Sequence, residues 1–338
     1  LILSSVATGT IITMTSFHWL LAWVGLELNT LAIIPIIAKQ HHPRATEAAT
    51  KYFLTQAAAS AMILFSSTTN AWATGTWDIS QMTNSPSCTM LTLAISMKLG
   101  LAPLHLWLPE VLQGTTLKTA LIIATWQKLA PLALLFMVHN TTNPTILLTM
   151  AVLSTMVGGW GGLNQTQLRK ILAFSSIAHL GWMASILTLN PNIMLLNLTI
   201  YLLMTTPMFL VLMLTTSKTI KDLTTTWTVS PPLAALSLIL LMSLGGLPPL
   251  TGFMPKWLIL QELTTHNFTT TATIMALSAL LSLFFYLRLS YASALTVFPT
   301  TTKNAHKWRF QPKPTTTPMA MTTALSMLLL PMTPMLVT

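Results

Sequence analysis

The chain has 338 residues, 53% hydrophobic and only 7% charged, with a formal net charge of +10. A soluble domain carries about 25% charged residues, whereas apolar runs of about 20 residues, the thickness of a hydrocarbon core, recur here throughout, and there are no runs of the alternating kind that build an outer-membrane barrel. Cys88 stands alone, which leaves no internal disulfide, cysteine-held zinc or cysteine-held iron–sulfur cluster, and no glycine loop of the phosphate-binding kind follows a strand pattern.

The pattern predicts an all-α polytopic membrane protein with eleven transmembrane helices. They fall at about residues 1–15, 18–38, 47–70, 88–112, 117–138, 144–162, 168–188, 193–216, 231–262, 271–295 and 318–336. No charged leader with a cleavage site opens the chain, and the first segment reads as a span cut short at its start. The ninth span is too long for one straight helix.

Basic residues alternate with the connections. Lys39, Arg44 and Lys51 surround the connection after span two, Lys118 follows span four, and Arg169 and Lys170 follow span six. Lys218 and Lys221 follow span eight, and Lys303, Lys307, Arg309 and Lys313 follow span ten. The other connections hold none. All twelve lie on one side, which predicts that side to be cytoplasmic or matrix-like, with the N-terminus there and the C-terminus opposite. The positive charge is therefore topology, with contacts to anionic lipid, and not a nucleic-acid surface.

The fourth span carries SMKLGLAPLHLWLPE (96–110), which places Lys98 in the membrane and breaks its helix at Pro103 and Pro109. A second copy appears 146 residues later, where Gly246 to Lys256 aligns with Gly100 to Glu110 and Gly, Leu, Pro, Leu and Pro are identical. Spans four and nine are five apart, so the copies cross in opposite directions. The expectation is a single membrane domain, 1–338, built from two inverted repeats. The first covers about 1–138 with its broken helix at 88–112, and the second about 144–295 with its broken helix at 231–262, before a last helix at 318–336.

Four basic residues lie inside spans: Lys98, Lys128, Lys256 and Arg288. Arg288, near the basic end of span ten, can snorkel outward. A charge near the bilayer centre costs about 2.5–3.5 kcal/mol or more, so each lysine needs a partner or a wet cavity. Glu27, in WVGLELNTLAIIP, is the central acid, and Glu27 with Lys98 is the natural pair. A carboxylate moving toward or away from a buried lysine switches it between holding and releasing a proton; a static pair that fixes helix register is the bland alternative. His105 either extends a relay or lines a cavity, and His179 either extends a proton path or packs through a hydrogen bond. Glu110 and Glu262 read as interfacial, and the glycines around Trp160 as close helix packing. His41-His42 is poor evidence for a metal.

Four stretches carry a family resemblance: HWLLAWVGLELNTLAIIPIIAKQHHPRATEAATKYFLTQAAAS (18–60), MKLGLAPLHLWLPEVLQG (97–114), GLNQTQLRKILAFSSIAHLGWM (162–183) and GGLPPLTGFMPKW (245–257). The chain resembles the antiporter-like membrane subunits of NADH:ubiquinone oxidoreductase, respiratory complex I, in its mitochondrially encoded vertebrate form. The resemblance implies a proton-pumping subunit of the membrane arm, in the mitochondrial inner membrane, with two inverted five-helix repeats. It implies Glu27 and Lys98 as the first half-channel pair, Lys128 as the connecting lysine and Lys256 as the terminal one. It further implies neighbouring antiporter-like subunits as partners and inner-membrane lipids such as cardiolipin around them. NADH, FMN, iron–sulfur clusters and ubiquinone belong to the complex as a whole, and this chain shows no seat for them. Eleven spans match the animal form, which lacks three N-terminal helices. A structural membrane-arm scaffold and a stand-alone cation/proton antiporter are the competing readings.

Overall fold

In the computed structural model, residues 2–39, 41–295 and 317–332 are described. The basic stretch Lys303, Lys307, Arg309 and Lys313, and the end of the last predicted span, lie outside them. Among the described residues the regular structure is helical, apart from two isolated bridges, and the protein is an all-α membrane protein. The helices are α1 (Ile2–Thr15), α2 (Trp19–Ala38), α3 (Pro43–Thr74), α4 (Ser85–Leu99), α5 (Trp107–Gly114), α6 (Leu117–Ala124) and α7 (Leu129–Met137). There follow α8 (Pro144–Gly162), α9 (Leu168–Leu187), α10 (Pro191–Thr215), α11 (Ile220–Thr224), α12 (Thr226–Val229), α13 (Pro231–Gly245), α14 (Phe253–Thr265), α15 (Thr269–Leu295) and α16 (Thr317–Leu328). Among the described residues, six stretches are long and apolar enough to cross a membrane: α2, α6 through α7, α8, α9, α10 and α15.

Contacts divide the chain into two units, Leu1–Val157 with Ser176–Pro191, and Gly158–Ser175 with Asn192–Thr338. In the first unit α2 turns Leu20, Leu21, Val24, Leu28 and Leu31 outward while burying Ala22, Gly25, Leu26 and Asn29. That inside-out distribution suits a lipid surround, where small and polar residues mediate helix contact. At the α1–α2 crossing a Cβ on Gly25 would stand 2.7 Å from Thr13 Cγ2 and 2.9 Å from the Gly9 carbonyl. Only glycine permits that approach.

The connections meet in sets. Trp19 N donates to the Trp77 carbonyl at 3.1 Å and His18 stacks on Trp77 at 5.6 Å, joining the connections after α1 and α3. Met137 joins Met14 to Phe17 and Asp78 to Ser80 around a cavity of ≈ 390 Å³ there. Lys51 of α3 pairs with Glu110 of α5 at 2.6 Å and with Glu47 at 2.5 Å, and His42 caps α3 by accepting from Arg44 N. In the second unit Leu168 N donates to Lys218 O and Ile220 N to Thr166 O, both at 3.1 Å. Phe285 lies over Gly162, and Leu281 and Ser278 over Gly159, which is the close packing expected around Trp160.

Spans four and nine are both interrupted, but Pro109, read as a second break, lies in the first turn of α5 (Trp107–Gly114). Gly100 (φ +82°) and Gly246 (φ +79°) end α4 and α13 in the left-handed conformation that favours glycine, and Pro103 and Pro249 follow. The predicted span at 117–138 is one membrane-length stretch, Leu117–Met137, with a third break inside it. The chain tightens to a 3-10 turn at Trp126–Lys128 between α6 and α7. Pro131 explains it, since it has no N–H for the Gln127 carbonyl and its ring crowds that position. Arg288, expected to reach outward, donates to the carbonyls of Leu163 and Gln165 in the connection after α8.

Candidate functional site

The site in the first unit forms where the α4 break meets α2, α3 and the 3-10 turn. Lys98 is 5% exposed, and its Nζ has no hydrogen-bond partner. It lines a cavity of ≈ 10 Å³ with Asn29, Thr30, Tyr52, Gln56, Trp107 and Gln127 among its walls, a volume of about one water. Two neutral donors hold the end of α4 behind the lysine. Trp107 Nε1 donates to the Met97 carbonyl at 3.1 Å, and Gln56 Nε2 donates to the Lys98 carbonyl at 3.4 Å. These carbonyls lie in the last turn of a helix, where backbone acceptors run out of intrahelical donors.

A neutral network continues from the cavity. Tyr52 Oη donates to Gln127 Oε1 at 3.2 Å, and Gln127 Nε2 donates to Asn29 Oδ1 at 3.2 Å. The ring of Tyr52 meets Trp107 edge-on at 5.9 Å. Lys128, the residue after Gln127, is 3% exposed at the end of the 3-10 turn.

Glu27 is half-buried, with Oε2 buried and without a hydrogen-bond partner. It lies within electrostatic reach of both Lys98 and Tyr52. No direct ion pair joins it to Lys98; the pairs among the described residues are Lys51 with Glu47 and Glu110, and His266 with Glu262 at 3.8 Å. His105 is buried in the α4–α5 break but does not line the Lys98 cavity, and His179 is buried in α9, also apart from it. Glu110 and Glu262 are both exposed enough to pair at the surface.

In the second unit Lys256 occupies the first turn of α14. Its Nζ donates at 2.8 Å to the carbonyl of Gly245, the last residue of α13. A cation on the final carbonyls of a helix is a favourable cap.

Sequence reasoning missed Asn29, Tyr52, Gln56 and Gln127. A signal was available in α3, where Tyr52, Gln56 and Ser60 recur every four residues on one buried face.

The model of the family described as NADH:quinone oxidoreductase/Mrp antiporter, transmembrane region, matches residues 16–282, and that of the NADH dehydrogenase subunit 2 C-terminus matches 283–337. The chain is 59% identical over 334 residues to the NADH-ubiquinone oxidoreductase chain 2 of Oncorhynchus mykiss, covering 99% of this chain and 96% of that one. It is 58% identical over 337 residues to the protein of the same name from Xenopus laevis, covering 100% and 98%. Among solved structures, a chain of respiratory complex I from Thermus thermophilus with bound aureothin superimposes with a TM-score of 0.85 at 29% identity, covering 98% of this chain and 78% of that one. With its four resembling stretches, its broken helices and these full-length matches, the chain belongs to the NADH-ubiquinone oxidoreductase chain 2 family.

Proposed function

We propose that Glu27, Lys98, Lys128 and Lys256 are the proton-handling groups of this chain, acting as a core subunit of the membrane arm of mitochondrial complex I. The subunit's share of the reaction is proton translocation, and the redox centres of the complex reside in other chains. One observation carries this reading. Lys98 is buried, its ammonium nitrogen is unpartnered, and it lines a water-sized cavity together with Asn29, Gln56 and Gln127, within electrostatic reach of Glu27. A lysine kept only for packing would be paired. Glu27 acts on Lys98 through space or through one water, so a small movement of α2 changes the field at the lysine.

Eleven spans in two inverted repeats, basic connections on the matrix side and the C-terminus in the intermembrane space complete the proposal. The meeting of the connections after α1, α3 and α7, and of the Lys51 region with Glu110, supports that alternation. The matching glycine-ended helices α4 and α13 support the repeat. Partners are the neighbouring antiporter-like subunits and anionic inner-membrane lipids, cardiolipin among them. His105 and His179 have weaker roles beside the relay.

The scaffold reading draws its support from Lys256, whose hydrogen bond to Gly245 has structural value in its own right. The test is proton translocation per NADH oxidised in reconstituted complex carrying Lys98→Met. Persistent assembly with lost translocation supports the relay, whereas unchanged assembly, turnover and stoichiometry would give the scaffold reading precedence.

A further inference from the structure

Among the groups around Lys98, Gln127 has an arrangement that the four charged residues do not explain. It sits in the 3-10 turn between α6 and α7, directly before Lys128. Both ends of its side-chain amide are engaged by different helices. Tyr52 of α3 donates to Oε1 at 3.2 Å, and Nε2 donates to Asn29 Oδ1 of α2 at 3.2 Å. Tyr52 and Asn29 are each 1% exposed, so neither bond is exchanged cheaply for one to solvent. All three residues line the cavity that Lys98 enters.

We propose that Gln127 is a positioning residue for proton transfer between Lys98 and Lys128, its amide clamped by Tyr52 and Asn29 so that the 3-10 turn is held in register with a one-water site at Lys98. The inference rests on the relay reading above. The turn needs such a clamp because Pro131 has removed the backbone bond that would otherwise hold the Gln127 carbonyl. 3-10 turns inside helices mark places where the chain yields, and an amide held by two neighbouring helices fixes where this one stands. The cavity has the volume of one water, ≈ 10 Å³, and Asn29, Thr30, Tyr52, Gln56 and Gln127 among its lining residues to supply polar partners. In the transfer, Lys98 Nζ loses one proton and Lys128 Nζ, neutral beforehand, gains it. Gln127, Tyr52 and Asn29 keep their protonation states, and Gln127 acts through placement alone.

The test uses the complete complex in vesicles, with NADH-driven proton uptake measured for Gln127→Leu, Gln127→Asn, Tyr52→Phe, the Gln127→Leu/Tyr52→Phe double variant and Lys98→Met. A misplacement of about an ångström can cost up to about a hundredfold in rate, so a fall of roughly tenfold is expected for Gln127→Leu. Gln127→Asn, which keeps an amide at the turn, recovers part of it. Tyr52→Phe gives a smaller fall, and adding it to Gln127→Leu gives no further loss, since the hydroxyl works through the amide. An assembled Gln127→Leu complex with wild-type uptake overturns the inference if Lys98→Met has abolished uptake; if Lys98→Met is also wild-type, the relay reading itself falls and takes the inference with it. Should Gln127→Leu fail to assemble, Tyr52→Phe decides alone. Removing one hydroxyl and finding unchanged uptake overturns the clamp, and reduced uptake in assembled complex supports it.

Discussion

The indole of Trp107 donates across the break in the fourth span to the carbonyl of Met97, 3.1 Å away. The break is therefore fastened at both ends, and the irregular residues between α4 and α5 form a held loop beside Lys98. Trp107→Phe keeps an aromatic ring against Tyr52 while removing the donor and part of the buried ring. It should weaken the loop by about 1 kcal/mol, visible in hydrogen exchange of the purified complex as roughly fivefold faster exchange of the amides of residues 101–106. Unchanged exchange there would show that the indole bond does not hold the loop.

At the crossing of α1 and α2, Gly25→Ala would drive a methyl into Thr13 and the Gly9 carbonyl. Overpacking of this kind costs about 1–3 kcal/mol, so less assembled complex should be recovered on native gels. Thr13→Ser removes the Cγ2 methyl that is nearest and should restore part of the yield.

Gly246→Ala combines two penalties. Its φ of +79° disfavours any side chain, and the new methyl would lie 2.9 Å from Lys256 Nζ. The conformational part alone is about 1–2 kcal/mol. We expect protons per NADH to fall in the assembled variant while NADH oxidation by a water-soluble acceptor stays unchanged. Wild-type stoichiometry would mean that Lys256 works without its Gly245 contact.

Asp222 offers a pH test outside the spans. Burial alone would raise its pKa, but bonds from the Thr219 and Lys218 amides and the Thr219 side chain outweigh it and hold the carboxyl below the usual value. With the folded value depressed, the stabilisation is present above the unfolded pKa and is lost as pH falls through the folded one. The capping box of α11 should therefore hold at neutral pH and loosen below about pH 4. Hydrogen exchange of Ile220 to Thr225 measures it, and Asp222→Asn should exchange fast at every pH.

The charged residues were legible because a lysine in a 20-residue apolar run is expensive, and the glycine–proline breaks because no helix passes them intact. The neutral network was not. Asn29, Tyr52, Gln56 and Gln127 come from three distant segments, and an amide in a membrane span carries little penalty to mark it. The faces of α2 were hidden for a related reason: every leucine but Leu26 looks outward and glycine and asparagine inward, so hydrophobicity does not separate them. The third break was readable in principle from Pro131, four residues after Gln127, but its proline lies inside an otherwise unbroken apolar run. Glu27 and Lys98 were read as a natural pair, yet no direct ion pair joins them, since side-chain placement is not encoded in spacing along the chain.

The two broken helices end differently. At α4 the last carbonyls are occupied by an indole and an amide, and Lys98 is left with nothing to hold. At α13 the lysine itself supplies the cap. An ammonium bound to a carbonyl has to let go before it can lose its proton, so Lys256 has a threshold to cross that Lys98 lacks. On the proposed relay, the same type of side chain would exchange freely in one unit and act as a latch in the other, and a change in the geometry of α13 would reach the proton on Lys256 directly.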